Sequence, residues 1–159
     1  MFVNPCLSDP RATQAALICS NKTSLPLRDT FKINFFAAKQ TITPLIATKR
    51  YAAVVNGNVN TTVYAFGECM KDLTNIDCDL CFAQCQSQIF KCLPLQKATR
   101  GGRIFCDGCY LRYDDYFFFN ETLSVEDKTV CGAQEFVGNG SVFSANVNQL
   151  VMNLKRRST

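Results

Sequence analysis

The chain has 159 residues, 47% of them hydrophobic, enough for one buried core with some chain to spare. Its formal charge is +4, but Lys155, Arg156 and Arg157 supply most of that excess at the C-terminus, which argues against the basic stripe of a nucleic-acid-binding fold. There is no histidine, which removes Ser–His and Cys–His nucleophile pairs, and no apolar run reaches the roughly 18–20 residues of a membrane span.

Met1–Ser8 has neither a charged start nor an apolar run of the roughly 7–15 residues that a signal peptide needs. Met1-Phe2-Val3 reads as the tail of a lost apolar segment with cleavage near Ser8, which would remove Cys6. Ala15–Cys19 reads as a short buried strand. A helix is predicted from about Asp29, a plausible N-cap, with Phe31, Phe35, Ala38, Ile42 and Leu45 stepping by 4, 3, 4 and 3 along one face. Pro44 is expected to kink or end it. Tyr51–Val55 and Thr61–Glu68 read as two strands around Asn56-Gly57, a hairpin signal.

A second helix is predicted from about Cys78 to Leu93, capped by Asp77 and stopped by Pro94. Cys81, Cys85, Ile89 and Cys92 share one of its faces. Arg103–Tyr116 is the last strand region, with Asp107-Gly108 marking a bulge or turn. Two helices on one face of an antiparallel sheet make this an α+β arrangement. Gly132–Ser141 is linker-like, and Val142–Leu154 reads as a further amphipathic helix. Phe143-x2-Asn146 repeats Phe31-x2-Asn34, so residues 142–159 are expected to begin a second copy of the domain formed by residues 10–131.

The 10 cysteines pose the main chemical question. Cys78-x2-Cys81 and Cys106-x2-Cys109 are spaced like tetrahedral zinc ligands. Yet 24 residues separate the pairs, more than the roughly 15–20 usual for such a site, and the other thiols are left unexplained. A disulfide framework uses more of them. It also agrees with four N-x-S/T sequons, at Asn21, Asn60, Asn120 and Asn139, which matter only in the oxidising secretory route. Disulfides, no metal and no cofactor are therefore expected. Asp114, Asp115 and Asp127 lack a matching catalytic partner, so no enzyme activity is expected. The aromatic run Tyr110, Tyr113, Tyr116 and Phe117–Phe119 cannot all face one core. Exposed rings there would suit sugar stacking or protein contact.

Cys69-x8-Cys78-x2-Cys81, then Cys92, then Gly102-Arg103 leading into Asp107-Gly108-Cys109-Tyr110-Leu111-Arg112-Tyr113, resemble the ginkbilobin-homologous domain, the stress-antifungal, cysteine-rich domain of plant secreted and receptor proteins. The wider text, including CDLCFAQC and GCYLRYDDY, looks most like the first extracellular domain of cysteine-rich receptor-like protein kinases. Plasmodesmata-located proteins carry similar domains. The resemblance implies three bridges: Cys19–Cys92, Cys69–Cys78 and Cys81–Cys109. Cys85 and Cys131 remain as a fourth pair, with Cys6 and Cys106 left over.

The resemblance also implies a mannose site built from an Asn, an Arg and a Glu. Those positions hold Ser20, Arg103 and Asp114 here, so only the Arg matches. An Arg103–Asp114 ion pair across the strand is the plainer reading. The expected function is a non-catalytic extracellular recognition module for a protein or cell-wall carbohydrate. It would be a fragment of a receptor-like kinase ectodomain in stress or defence signalling, attached to the plasma membrane only through a downstream span. The alternative is a secreted mannose-binding antifungal lectin.

Overall fold

The computed structural model describes residues 10–23, 26–93, 99–121, 133 and 136–157. The chain divides into two compact units, Met1–Lys128 and Thr129–Thr159. In the first, β1 (Gln14–Cys19) is followed by α1 (Arg28–Lys49), β2 (Tyr51–Asn56) and β3 (Val63–Cys69). Then come α2 (Asn75–Gln88), a 3-10 turn (Ile89–Cys92), β4 (Gly102–Cys106) and β5 (Cys109–Asp114). The five strands form one antiparallel sheet in the order β1-β4-β5-β3-β2.

Strand alternation decides which side chains meet the helices. Val63, Ala65 and Cys69 of β3, Leu111 and Tyr113 of β5, and Ile104 of β4 join the core. From α1 they receive Phe31, Phe35, Ala38, Ile42 and Ile46, and from α2 Cys78, Cys81, Phe82 and Cys85. Phe35 meets the Tyr113 ring edge-on at 4.7 Å, and the Tyr113 hydroxyl donates to the Thr99 carbonyl at 3.0 Å. Between the helices, Gln86 Nε2 donates to Thr43 Oγ1 at 2.7 Å. Two helices on one face of an antiparallel sheet, stapled by disulfides, is the α+β fold that the sequence implies.

Several local expectations shift. Asp29 is not the cap of α1. The cap position is Leu27, which makes no side-chain cap bond, and Asp29 sits in the first turn, where the helix dipole favours an acid. Pro44 does not end α1, which continues to Lys49. A proline inside a helix costs about 3 kcal/mol. Continuing buries Ile46 as fully as Ile42, a gain of about 1.5–3 kcal/mol for that side chain alone. Arg50 then turns the chain in the left-handed region, φ 66°, its N–H donating to the Ile46 carbonyl.

The second helix begins at Asn75 rather than Cys78, and Thr74 is its cap. Thr74 Oγ1 accepts from the Asp77 amide at 3.1 Å and donates to Asp77 Oδ2 at 2.7 Å, so Asp77 is the third helical residue of a capping pair. The last strand region is two strands turning at Asp107-Gly108. Residues 57–62 link β2 to β3, with Gly57 at φ 96° and Asn60 at φ 72°. All four sequon asparagines are exposed. In the second unit, α3 (Gly140–Arg157) starts two residues earlier than the periodicity predicts. Asn139 Oδ1 accepts from Ser141 and Val142 and so caps it.

Candidate ligand face and cysteine cluster

Among the described residues three disulfides are closed, the same three that the resemblance implies: Cys19–Cys92, Cys69–Cys78 and Cys81–Cys109, with Cα separations of 5.2, 5.7 and 6.0 Å. They join β1 to the 3-10 turn, β3 to the start of α2, and α2 to β5. With Cys78 bonded to Cys69 and Cys81 to Cys109, the sequence's two C-x2-C pairs do not present four thiolates to a metal. Cys81, Cys106 and Cys109 do have sulfurs within 4.8 Å of one another. Two of those three sulfurs are already bonded together.

Cys85 and Cys106 are buried thiols, their sulfurs 2.9 Å apart. Cys85 Sγ is also 3.5 Å from Cys109 Sγ. The Cys85 thiol is pushed up by its hydrogen bond to Cys106 and by burial. The same hydrogen bond holds Cys106 below the usual thiol range. Cys131 and Cys6, the other members of the sequence-based assignment, lie outside the described residues.

The three positions expected to hold mannose fall at one corner of the sheet. Ser20 N donates to the Gly101 carbonyl, Arg103 stands opposite Arg112, and a Cβ on Gly101 would meet the Asp114 carboxylate. All three are buried. Ser20 Oγ accepts from the Lys22 amide at 3.2 Å. Asp114 Oδ2 pairs with Arg112 NH2 at 3.2 Å, so Arg112, to which the sequence assigns no site role, takes part in the electrostatics of this corner. Arg112 NH2 also lies 2.8 Å from Tyr116 Oη and 2.9 Å from Glu121 Oε2. Burial pushes the Asp114 carboxyl up to about 6, against the lowering effect of Arg112.

On the face turned away from the helices, one cross-strand row runs Tyr51, Glu68, Tyr110, Phe105 across β2, β3, β5 and β4. These four side chains line a cleft of about 650 Å³. Phe105 and Tyr110 meet at 4.8 Å between ring centres, and Tyr51 is 65% exposed. Lys49, Arg50 and Lys71 bring three cations to the lining, against the single carboxylate of Glu68. Arg50 NH2 is held by Asn75 Oδ1 at 3.0 Å. The aromatic run singled out in the sequence divides. Tyr113 goes to the core, Tyr110 to the cleft, Phe118 under Arg112, and Phe117 to the surface. Tyr51, Glu68 and Phe105 carried no signal in the sequence.

Comparisons with known proteins agree with this fold. A family model described as salt stress response/antifungal matches residues 18–116. Cysteine-rich receptor-like protein kinase 42 of Arabidopsis thaliana is 32% identical over 123 residues, covering 77% of this chain and 18% of the relative. Cysteine-rich receptor-like protein kinase 2 of the same plant is 34% identical over 129 residues, covering 78% and 18%. The chain thus spans under a fifth of the length of these relatives. Among solved structures, the tandem DUF26 ectodomain of the Arabidopsis thaliana cysteine-rich receptor-like protein PDLP8 superposes with a TM-score of 0.69 at 19% identity, covering 84% of this chain and 63% of that one. The corresponding ectodomain of PDLP5 gives 0.58 at 22%, covering 67% and 52%. With the family model covering most of the sheet and both of its helices, the chain belongs to the salt stress response/antifungal family.

Proposed function

We propose that the domain is a non-catalytic extracellular recognition module, part of a cysteine-rich receptor-like kinase ectodomain in stress or defence signalling, and that its ligand seats in the cleft on the open face of the sheet. The kinship supports the first half: relatives are receptor-like kinases, and the solved structures that share the fold are ectodomains. In this reading residues 142–159 open a second domain copy, and a membrane span and kinase follow downstream.

The observation that carries the second half is the row Tyr51, Tyr110 and Phe105 with cations at its rim. A concave, mostly apolar site with a few charged groups at its edge is the usual form of a binding pocket. Aromatic walls suit the apolar faces of sugar rings, and the excess of cations favours an anionic ligand. An acidic cell-wall oligosaccharide combines both properties. The mannose-lectin alternative is disfavoured because Ser20 Oγ and Asp114 already have partners within the chain. Titration of oligogalacturonides and mannooligosaccharides against the secreted chain, with Tyr110→Ala and Arg103→Ala variants, separates the two. Saturable binding weakened by Tyr110→Ala supports the cleft. Binding lost only in Arg103→Ala supports the lectin.

A further inference from the structure

We propose that Cys85 and Cys106 form a fourth disulfide, a second rung beside Cys81–Cys109 that locks α2 to the β4–β5 hairpin. The two sulfurs stand 2.9 Å apart. A disulfide needs about 2.03–2.05 Å, so closure asks for somewhat under 1 Å of approach, within reach of small side-chain rotations. The backbone positions are fixed already. Cys85 lies one helical turn beyond Cys81, and Cys106 lies across the Asp107-Gly108 turn from Cys109. The existing bridge therefore sets the spacing for the second.

The chemistry balances with a disulfide oxidant of the secretory route, small-molecule or protein. Cys106 lines the open-face cleft and Cys85 does not, so Cys106 is the thiol that the donor reaches first and the first attacker. Its thiolate attacks one sulfur of the donor disulfide, forming a mixed disulfide and expelling one donor thiolate, which takes up the Cys106 proton. Cys85 then attacks the Cys106 sulfur. Its proton goes to the second donor thiolate, which leaves. Two protein thiols are oxidised to one disulfide, and one donor disulfide is reduced to two thiols.

Four sulfurs in one cluster admit competing pairings. Cys85 Sγ is 3.5 Å from Cys109 Sγ, so exchange without any oxidant would give Cys85–Cys109 and release Cys81. Pairing of Cys85 with Cys131 is the other competitor, and it leaves Cys106 as a free thiol under the cleft. The proposal is independent of the ligand: it concerns the covalent state of the scaffold and stands or falls without any binding result.

The test is disulfide mapping of the full chain secreted from eukaryotic cells. It is denatured in maleimide without reductant, then cut with chymotrypsin after Phe82 and with Asp-N before Asp107. Those cuts separate Cys81 from Cys85 and Cys106 from Cys109. The expected result is one cross-linked species joining the Cys85 and Cys106 peptides, with neither residue carrying maleimide. Maleimide on either residue, or Cys85 joined to Cys131 or to Cys109, overturns the proposal. A Cys131→Ser chain mapped in the same way is expected to keep the Cys85–Cys106 link in full. Loss of that link in the variant also overturns it.

Discussion

The Arg112 guanidinium carbon stands 3.9 Å from the centre of the Phe118 ring. The same group reaches Asp114 and Glu121, so one side chain of β5 clamps the segment that follows its own strand back onto the sheet. Arg112→Met removes that clamp and leaves Asp114 buried without this cation. Removing one partner of a buried pair typically costs about 3–5 kcal/mol. We expect a loss near the lower end of that range at pH 7, measured by chemical denaturation, because Glu121 is exposed to water.

Asp114 makes the fold pH-sensitive in a definite direction. Its carboxyl sits at about 6 in the folded chain, raised by burial from an ordinary value of 3.8. Between those values the folded state binds the proton and the unfolded state does not, so folding takes up a proton. The contribution of this group to stability is fully present below 3.8 and is lost as pH rises through about 6. A carboxyl carbon resonance titrating near 6 and absent in Asp114→Asn is the expected NMR result. In Arg112→Met the midpoint moves up, because Arg112 is a lowering influence.

Gly67 of β3 packs under the Phe82 ring of α2. A Cβ there would lie 2.6 Å from Phe82 Cε2 and 3.4 Å from Ile46 Cδ1. Overpacking of this kind costs about 1–3 kcal/mol. Gly67→Ala is therefore expected to lower the denaturation midpoint, and adding Phe82→Leu should cost less in that background than it does alone. A simple sum of the two effects would show that the ring is not the obstacle.

The bridges differ in the chain they close. Cys19–Cys92 spans a separation of 73 residues and Cys69–Cys78 only 9. On loop entropy the first contributes about 4.4 kcal/mol and the second about 2.6 kcal/mol. Replacing Cys19 and Cys92 together by Ala is expected to destabilise the chain more than replacing Cys69 and Cys78 together. Equilibrium denaturation under non-reducing conditions measures both.

The helices and strands were legible because their apolar periodicity matches the faces they bury, as Phe31, Phe35, Ala38 and Ile42 show. Boundaries were less so. Thr74 outranks Asp77 as the cap because the chain turns three residues earlier than the cysteine motif suggests. Pro44 is expected to kink or end α1 because its cost is local, whereas the burial of Ile46 that helps offset it is a tertiary fact. Of the cleft the sequence signals only Tyr110, in its aromatic run, because Tyr51, Glu68, Tyr110 and Phe105 come from four strands. Only the sheet order β1-β4-β5-β3-β2 makes them neighbours. Cys106 is left over for a similar reason: spacing along the chain does not say that both sides of the Asp107-Gly108 turn face α2.

Recognition through the open-face cleft is tested most directly by calorimetric titration of oligogalacturonides into the secreted chain and its Tyr110→Ala and Arg103→Ala variants. Saturable binding, weakened tenfold or more by Tyr110→Ala and unchanged by Arg103→Ala, is the predicted result. Binding indifferent to Tyr110→Ala, or abolished by Arg103→Ala, would contradict it.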